Sequence, residues 1–83
     1  MFGKRLRQAR MDAGLTQQAL ADLIGVSLRN YQNYEQGSRN PPLDTLASIA
    51  ATLRVSADYL LGLTDHSEPY ERRWILLDNA DER

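Results

Sequence analysis

A chain of 83 residues without a cysteine is one small domain plus a short appendage, with no disulfide, thiol chemistry or cysteine-based zinc site. Its net charge of −1 is unevenly spread: residues 1–40 hold six basic against three acidic side chains, or +3, and residues 67–83 hold three against five, or −2. A basic front can present one positive face, so net charge excludes no anionic partner. Residues 1–15 contain no signal-like apolar run and no stretch approaches the roughly 18 apolar residues of a membrane span, which predicts a soluble, cytoplasmic protein.

The apolar residues recur at helical spacing almost throughout. Phe2, Leu6, Ala9 and Ala13 define a first helix, stopped by Gly14. Thr16 is a good N-cap for a second, with an apolar face of Leu20, Ala21, Leu23 and Ile24, ended by Gly25. Ser27 caps a third, in which Tyr31 and Tyr34 face the body, and Gly37 ends it. The loop that follows contains Pro41 and Pro42, which cannot continue a helix. Leu43, Leu46, Ile49, Ala50 and Leu53 predict a fourth helix, and Ser56 caps a short fifth, closed by Gly62, whose Tyr59, Leu60 and Leu61 read as core. No alternation of period two is present, so the expected fold is all-α, a compact five-helix body.

That body is expected at residues 1–63. A polar, turn-prone linker follows at 64–69, and a short tail at 70–83. In the tail Tyr70, Trp74 and Leu77 stand at i, i+4 and i+7, an apolar stripe that either holds two copies together or folds back on the domain.

The third helix carries the chemistry. On a helical wheel Ser27, Tyr31, Tyr34 and Glu35 share one side, Arg29, Asn33 and Gln36 the other, and Leu28, Asn30 and Gln32 lie between. With the tyrosines buried, Arg29 and Asn33 point outward. Arg bonds guanine and Asn bonds adenine in a bidentate manner in the DNA major groove, and an exposed Leu28 suits a thymine methyl. An ordinary solvated face is the bland alternative. The spacing of the second helix, the Gly25–Ser27 turn and the third helix is that of a helix-turn-helix, with small Ala21 where the helices must approach.

Three segments, Leu6 to Ser27, Tyr34 to Pro41 and Leu46 to Gly62, resemble in order the Cro/CI-type (XRE) helix-turn-helix family, which includes the phage lambda and 434 repressors. The resemblance covers Phe2 to Gly62. It implies a five-helix lambda-repressor-like fold, double-stranded DNA as partner, a homodimer on a two-fold-related operator, and transcriptional regulation. By the same resemblance Leu28, Arg29 and Asn33 match base-reading positions, while Gln17, Ser27, Arg39 and Asn40 match positions that touch the DNA backbone. Arg10 and Glu35 match a structural ion pair between the first and third helices. The 434-type protein has glutamines where this chain reads bases, so its operator does not transfer.

No feature argues for an enzyme, a cofactor, a small-molecule ligand or a metal. His66 is the single histidine, in the linker, and the five glycines are isolated rather than gathered in a phosphate-cradling loop. The expected function is a sequence-specific DNA-binding regulator that represses by occluding a promoter. Its rival is a protein-interaction module of antitoxin or anti-repressor type, for which the apolar tail would be the supporting feature.

Overall fold

In a computed structural model, which describes residues 2–69, the chain forms five helices and, among the described residues, no strand. They are α1 (Phe2–Asp12), α2 (Gln17–Ile24), α3 (Leu28–Gln36), α4 (Leu43–Leu53) and α5 (Ala57–Leu60). Tyr70, Trp74 and Leu77, the candidate contacts of the tail, lie outside the described residues.

Three helices begin where a hydroxyl can serve the first turn. Thr16, Ser27 and Ser56 have extended backbone, and their side-chain oxygens accept from the amides of Ala19, Asn30 and Tyr59 at 3.0, 3.1 and 3.0 Å. Each satisfies an amide that the helix itself leaves without a partner. All five helices also end alike. The amides of Leu15, Val26, Ser38, Val55 and Leu63 reach back to the carbonyls of Arg10, Ala21, Asn33, Ala50 and Asp58 at 2.9 to 3.2 Å. This closure needs a left-handed residue just before it. Gly25 supplies one at φ 74°, but α4 uses Arg54 at φ 59°, where a Cβ costs about 1–2 kcal/mol. Past the closure, Leu15, Val26 and Val55 pack on the core, whereas Ser38 and Leu63 are exposed. The chain therefore turns back into the body after α1, α2 and α4, and leaves it after α3.

The core consists of Leu6 and Ala9 from α1, Leu20 and Ala21 from α2, Tyr31 and Tyr34 from α3, Ile49 and Leu53 from α4, and Leu60 from α5. Leu6, Leu20, Tyr31, Ile49 and Leu60 are fully buried, and an aliphatic side chain gains about 1.5–3 kcal/mol from such burial. Helix α3 is held between α1 and α2; α4 packs on α2 and α5, and α5 returns to α1. At the first contact Gly3 is buried, and a Cβ there would lie 2.2 Å from the Glu35 carbonyl oxygen. The two backbones touch.

Several apolar positions depart from their expected burial. Leu23, Leu43 and Leu61 are 62%, 85% and 46% exposed. Each α-helical residue advances the wheel by roughly 100°, so Leu23 falls well off the Leu20–Ala21–Ile24 stripe. Leu43 precedes the part of α4 that meets the core, Leu61 follows the single turn of α5, and Ala13 lies exposed beyond α1. The polar segment after α5 is also tied down. Arg5 Nη1 donates to the carbonyls of Tyr59 and Thr64 at 3.2 and 2.7 Å, Arg5 Nη2 pairs with Asp65 at 2.8 Å, and Ser56 N donates to Ser67 O at 2.9 Å.

Candidate nucleic-acid interface

The outward edge of α3 is set by its inward one. Tyr31 and Tyr34, buried and packed edge to face with centroids 6.5 Å apart, fix the rotation of the helix. Arg29 and Gln36 are then exposed, and Leu28, Gln32 and Asn33 half-buried. Of the three residues expected to read bases, Arg29 is the most open; Leu28 is more covered than expected, because it opens the helix against the turn.

Asn33 has neighbours of its own. Ser38 Oγ donates to its Oδ1 at 3.3 Å, and its carbonyl takes the closing amides of Gly37 and Ser38. An amide oxygen has two acceptor sites, so one remains beside the Nδ2 donors. Ser27 is exposed, and because its oxygen accepts within the cap, its own O–H remains a donor. Arg39 and Asn40 are exposed in the loop beyond α3.

Behind this edge lies a polar hub. Arg10 Nε donates to Glu35 Oε2 at 2.6 Å and Nη2 to Oε1 at 3.4 Å, with side chains only 12% and 6% exposed; Nη1 reaches the Leu15 carbonyl at 2.8 Å. The Tyr31 hydroxyl donates to Glu35 Oε2, Gln17 Nε2 donates to Oε1 at 3.1 Å, and Gln32 Nε2 donates to Gln17 Oε1 at 3.3 Å. Burial by itself raises the Glu35 pKa, but the bonds from Arg10, Tyr31 and Gln17 outweigh it and hold the carboxyl below its usual range. Burial, then the bond to Glu35, pushes the Tyr31 phenol up, and the same carboxylate raises Arg10. The hub is an ionised, fully bonded carboxylate at the meeting of α1, α2 and α3.

The structure thus brings Arg10, Glu35 and Gln17 together, with two partners, Tyr31 and Gln32, that the sequence reading did not place in the site. The spacing held a signal for one: Tyr31 stands four residues before Glu35, on the same helical face. Gln17, expected at the DNA backbone, spends its carbonyl oxygen and one amide hydrogen inside the protein, so one hydrogen is left for an outside acceptor. Arg7, Arg10, Thr16, Gln17, Glu35 and Gln36 line an open cleft of about 520 Å³. Among the described residues no cluster is set to hold a metal ion, and no helix is long and apolar enough to cross a membrane.

A family model described as "Helix-turn-helix" matches residues 6–60. The chain is 45% identical over 73 residues to the HTH-type transcriptional regulator YobD of Bacillus subtilis, covering 88% of this chain and 65% of that protein. It is 36% identical over 81 residues to the cryptic phage CTXphi transcriptional repressor RstR of Vibrio cholerae, 95% of this chain and 72% of that one. Among solved structures it resembles the P22 c2 repressor protein in complex with a synthetic operator, at a TM-score of 0.73 and 30% identity, over 77% of this chain and 97% of that chain. The chain spans about half to two thirds of the length of several relatives it matches.

Proposed function

The chain belongs to the helix-turn-helix family, and we propose that it is a sequence-specific regulator of transcription that binds double-stranded DNA in the cytoplasm. One observation carries this reading: the tyrosine-anchored α3 presents Arg29, with Asn33 beside it, on its outer edge. A rigid helix with Arg and Asn at its face fits the donor and acceptor pattern of the major groove. Gln17, Ser27, Arg39 and Asn40 then serve the phosphates on either side, which fixes position without reading sequence. A P22 repressor of the same fold is seen in complex with a synthetic operator, and this supports double-stranded DNA as the partner.

Repression by occluding a promoter is the mode that needs least of so small a body. One such domain reaches only a few base pairs, so useful specificity calls for two copies on half-sites about 34 Å apart. The sequence stripe Tyr70, Trp74 and Leu77 is the candidate contact between copies. Truncation after His66 then yields a folded monomer with much weaker operator binding. A truncated chain that stays dimeric in sedimentation moves the contact to Leu61 and Leu63, which are 46% and 71% exposed.

The test of the function is a fluorescence-anisotropy titration on a duplex selected from a random library and on an unrelated duplex, across a salt series. Binding to both should weaken with salt. Arg29→Ala should cost about 1–3 kcal/mol on the selected duplex and relax preference at one base pair, whereas Gln17→Ala should weaken both duplexes alike. Equal losses on both for Arg29→Ala would remove Arg29 from base reading, and no binding to either would remove the function.

A further inference from the structure

Gln32 lies between the buried and the outward sides of α3 and matches no contact position implied by the family resemblance. Its bond explains why a glutamine is useful there. The Glu35 carboxylate can only accept, so Gln17 must turn its Nε2 toward it, at 3.1 Å. The Gln17 Oε1 is thereby turned away, and it too can only accept, so Gln32 must present its own Nε2, at 3.3 Å. One carboxylate, itself held by Arg10 and Tyr31, sets the polarity of two successive amides. Both glutamines are half-buried, so each amide is shielded on its inner side and reachable from outside. Gripped at Nε2 and at Oε1, the Gln17 carboxamide is left with its second Nε2 hydrogen as its free donor.

We propose that Gln32 is a positioning residue, which holds the Gln17 amide with that hydrogen directed at a DNA backbone phosphate and so ties the phosphate contact to the base-reading helix. This rests on the DNA-binding reading above. Gln32 adjoins Asn33 and stands one turn from Arg29, so the link spans two rigid helices. Sliding of α3 along the groove would then break either the Gln32–Gln17 bond or the phosphate contact. The bond is thus a register pin between the backbone and the bases.

The decisive variant is Gln32→Met, which keeps the length and helix preference of the side chain and loses the amide. In the full-length chain it should weaken binding to the selected and the unrelated duplex by the same factor, roughly 3- to 10-fold, the range that one neutral hydrogen bond supports. The slope of affinity on salt should stay as in the wild type, because a neutral amide that bonds a phosphate releases no counterion. In a Gln17→Ala background Gln32→Met should add nothing, because Gln32 acts only through Gln17. In the DNA-free protein the Gln17 side-chain amide resonances should shift in Gln32→Met, with the thermal midpoint unchanged. Unmoved resonances, wild-type affinity, or a thermal midpoint that falls in proportion to affinity would overturn the proposal. An additive loss with altered base preference would also overturn it, making Gln32 a direct reader. Failure of the wild-type chain to bind either duplex would strike the DNA reading itself.

Discussion

Arg5 and Arg10 stand five residues apart on α1, and each reaches a carboxylate at hydrogen-bond distance, 2.8 Å to Asp65 and 2.6 Å to Glu35. Their surroundings separate them. Asp65 is 94% exposed, so water screens that charge and would solvate it if Arg5 were removed. Glu35 is 6% exposed, and its other bonds come from Tyr31 and Gln17 rather than from water. Arg5 gains more from the carbonyls of Tyr59 and Thr64, and from the Tyr59 ring 4.5 Å away, than from its formal partner. An ion pair is worth what its partner would lose on being left alone. By that measure Arg10 builds the frame of α3, and Arg5 fastens the segment after α5.

The largest effect should come from breaking the buried pair singly. Arg10→Met or Glu35→Ala should each cost roughly 3–5 kcal/mol in denaturant unfolding, because the surviving charge is stranded in the body. The double mutant should lose much less than the sum of the two. Simple additivity would mean that the pair does not act as a unit.

The same pair sets a pH window. A folded-state pKa below the unfolded value gives stability that is present above about 4.5, the ordinary value for Glu35, and is lost as pH falls through the depressed one. Wild-type stability should therefore drop more steeply in acid than that of Glu35→Gln, which binds no proton there. Parallel acid curves would place this contribution elsewhere.

At the same end of α1, Gly3→Ala should cost about 1–3 kcal/mol, because its Cβ would meet the Glu35 carbonyl, which cannot swing aside as a side chain can. If α3 is rotated as a result, operator affinity should fall by more than stability alone explains. A neutral Gly3→Ala in both assays would show that α1 and α3 separate easily.

Smaller effects belong to the other arginine. Arg5→Ala should cost about 1–2 kcal/mol, since it gives up two charge-assisted bonds to carbonyls that water can partly replace. It should also raise amide exchange at Leu63 and Ser56, whose bonds close this corner. Asp65→Asn should change stability by less than about 0.5 kcal/mol. A loss for Asp65→Asn comparable to that of Arg5→Ala would break the contrast between the two pairs.

The local half of this protein was legible in the residues. Thr16, Ser27 and Ser56 mark helix starts, and Gly14, Gly25 and Gly37 mark helix ends, because hydroxyl caps and left-handed closures depend on a few adjacent atoms. The five helices followed, as did the outward placement of Arg29, since helical periodicity links the buried tyrosines to the opposite face. The Arg10–Glu35 pairing was readable only with help from a family resemblance, because nothing local joins residues 25 apart.

What the tertiary structure decided is how much of each face finds a neighbour. Leu43 and Leu61 have apolar spacing but face solvent, because burial depends on where other helices end, which no single helix encodes. Gly3 looked incidental until the Glu35 backbone came to lie against it. Arg5 reaches over fifty residues to hold a segment whose composition reads as a free linker. The hub shows the same limit: the residue types at 17 and 32 permit many partners. Only the approach of α1, α2 and α3 around one buried carboxylate, which must be satisfied on every side, fixes which atoms meet.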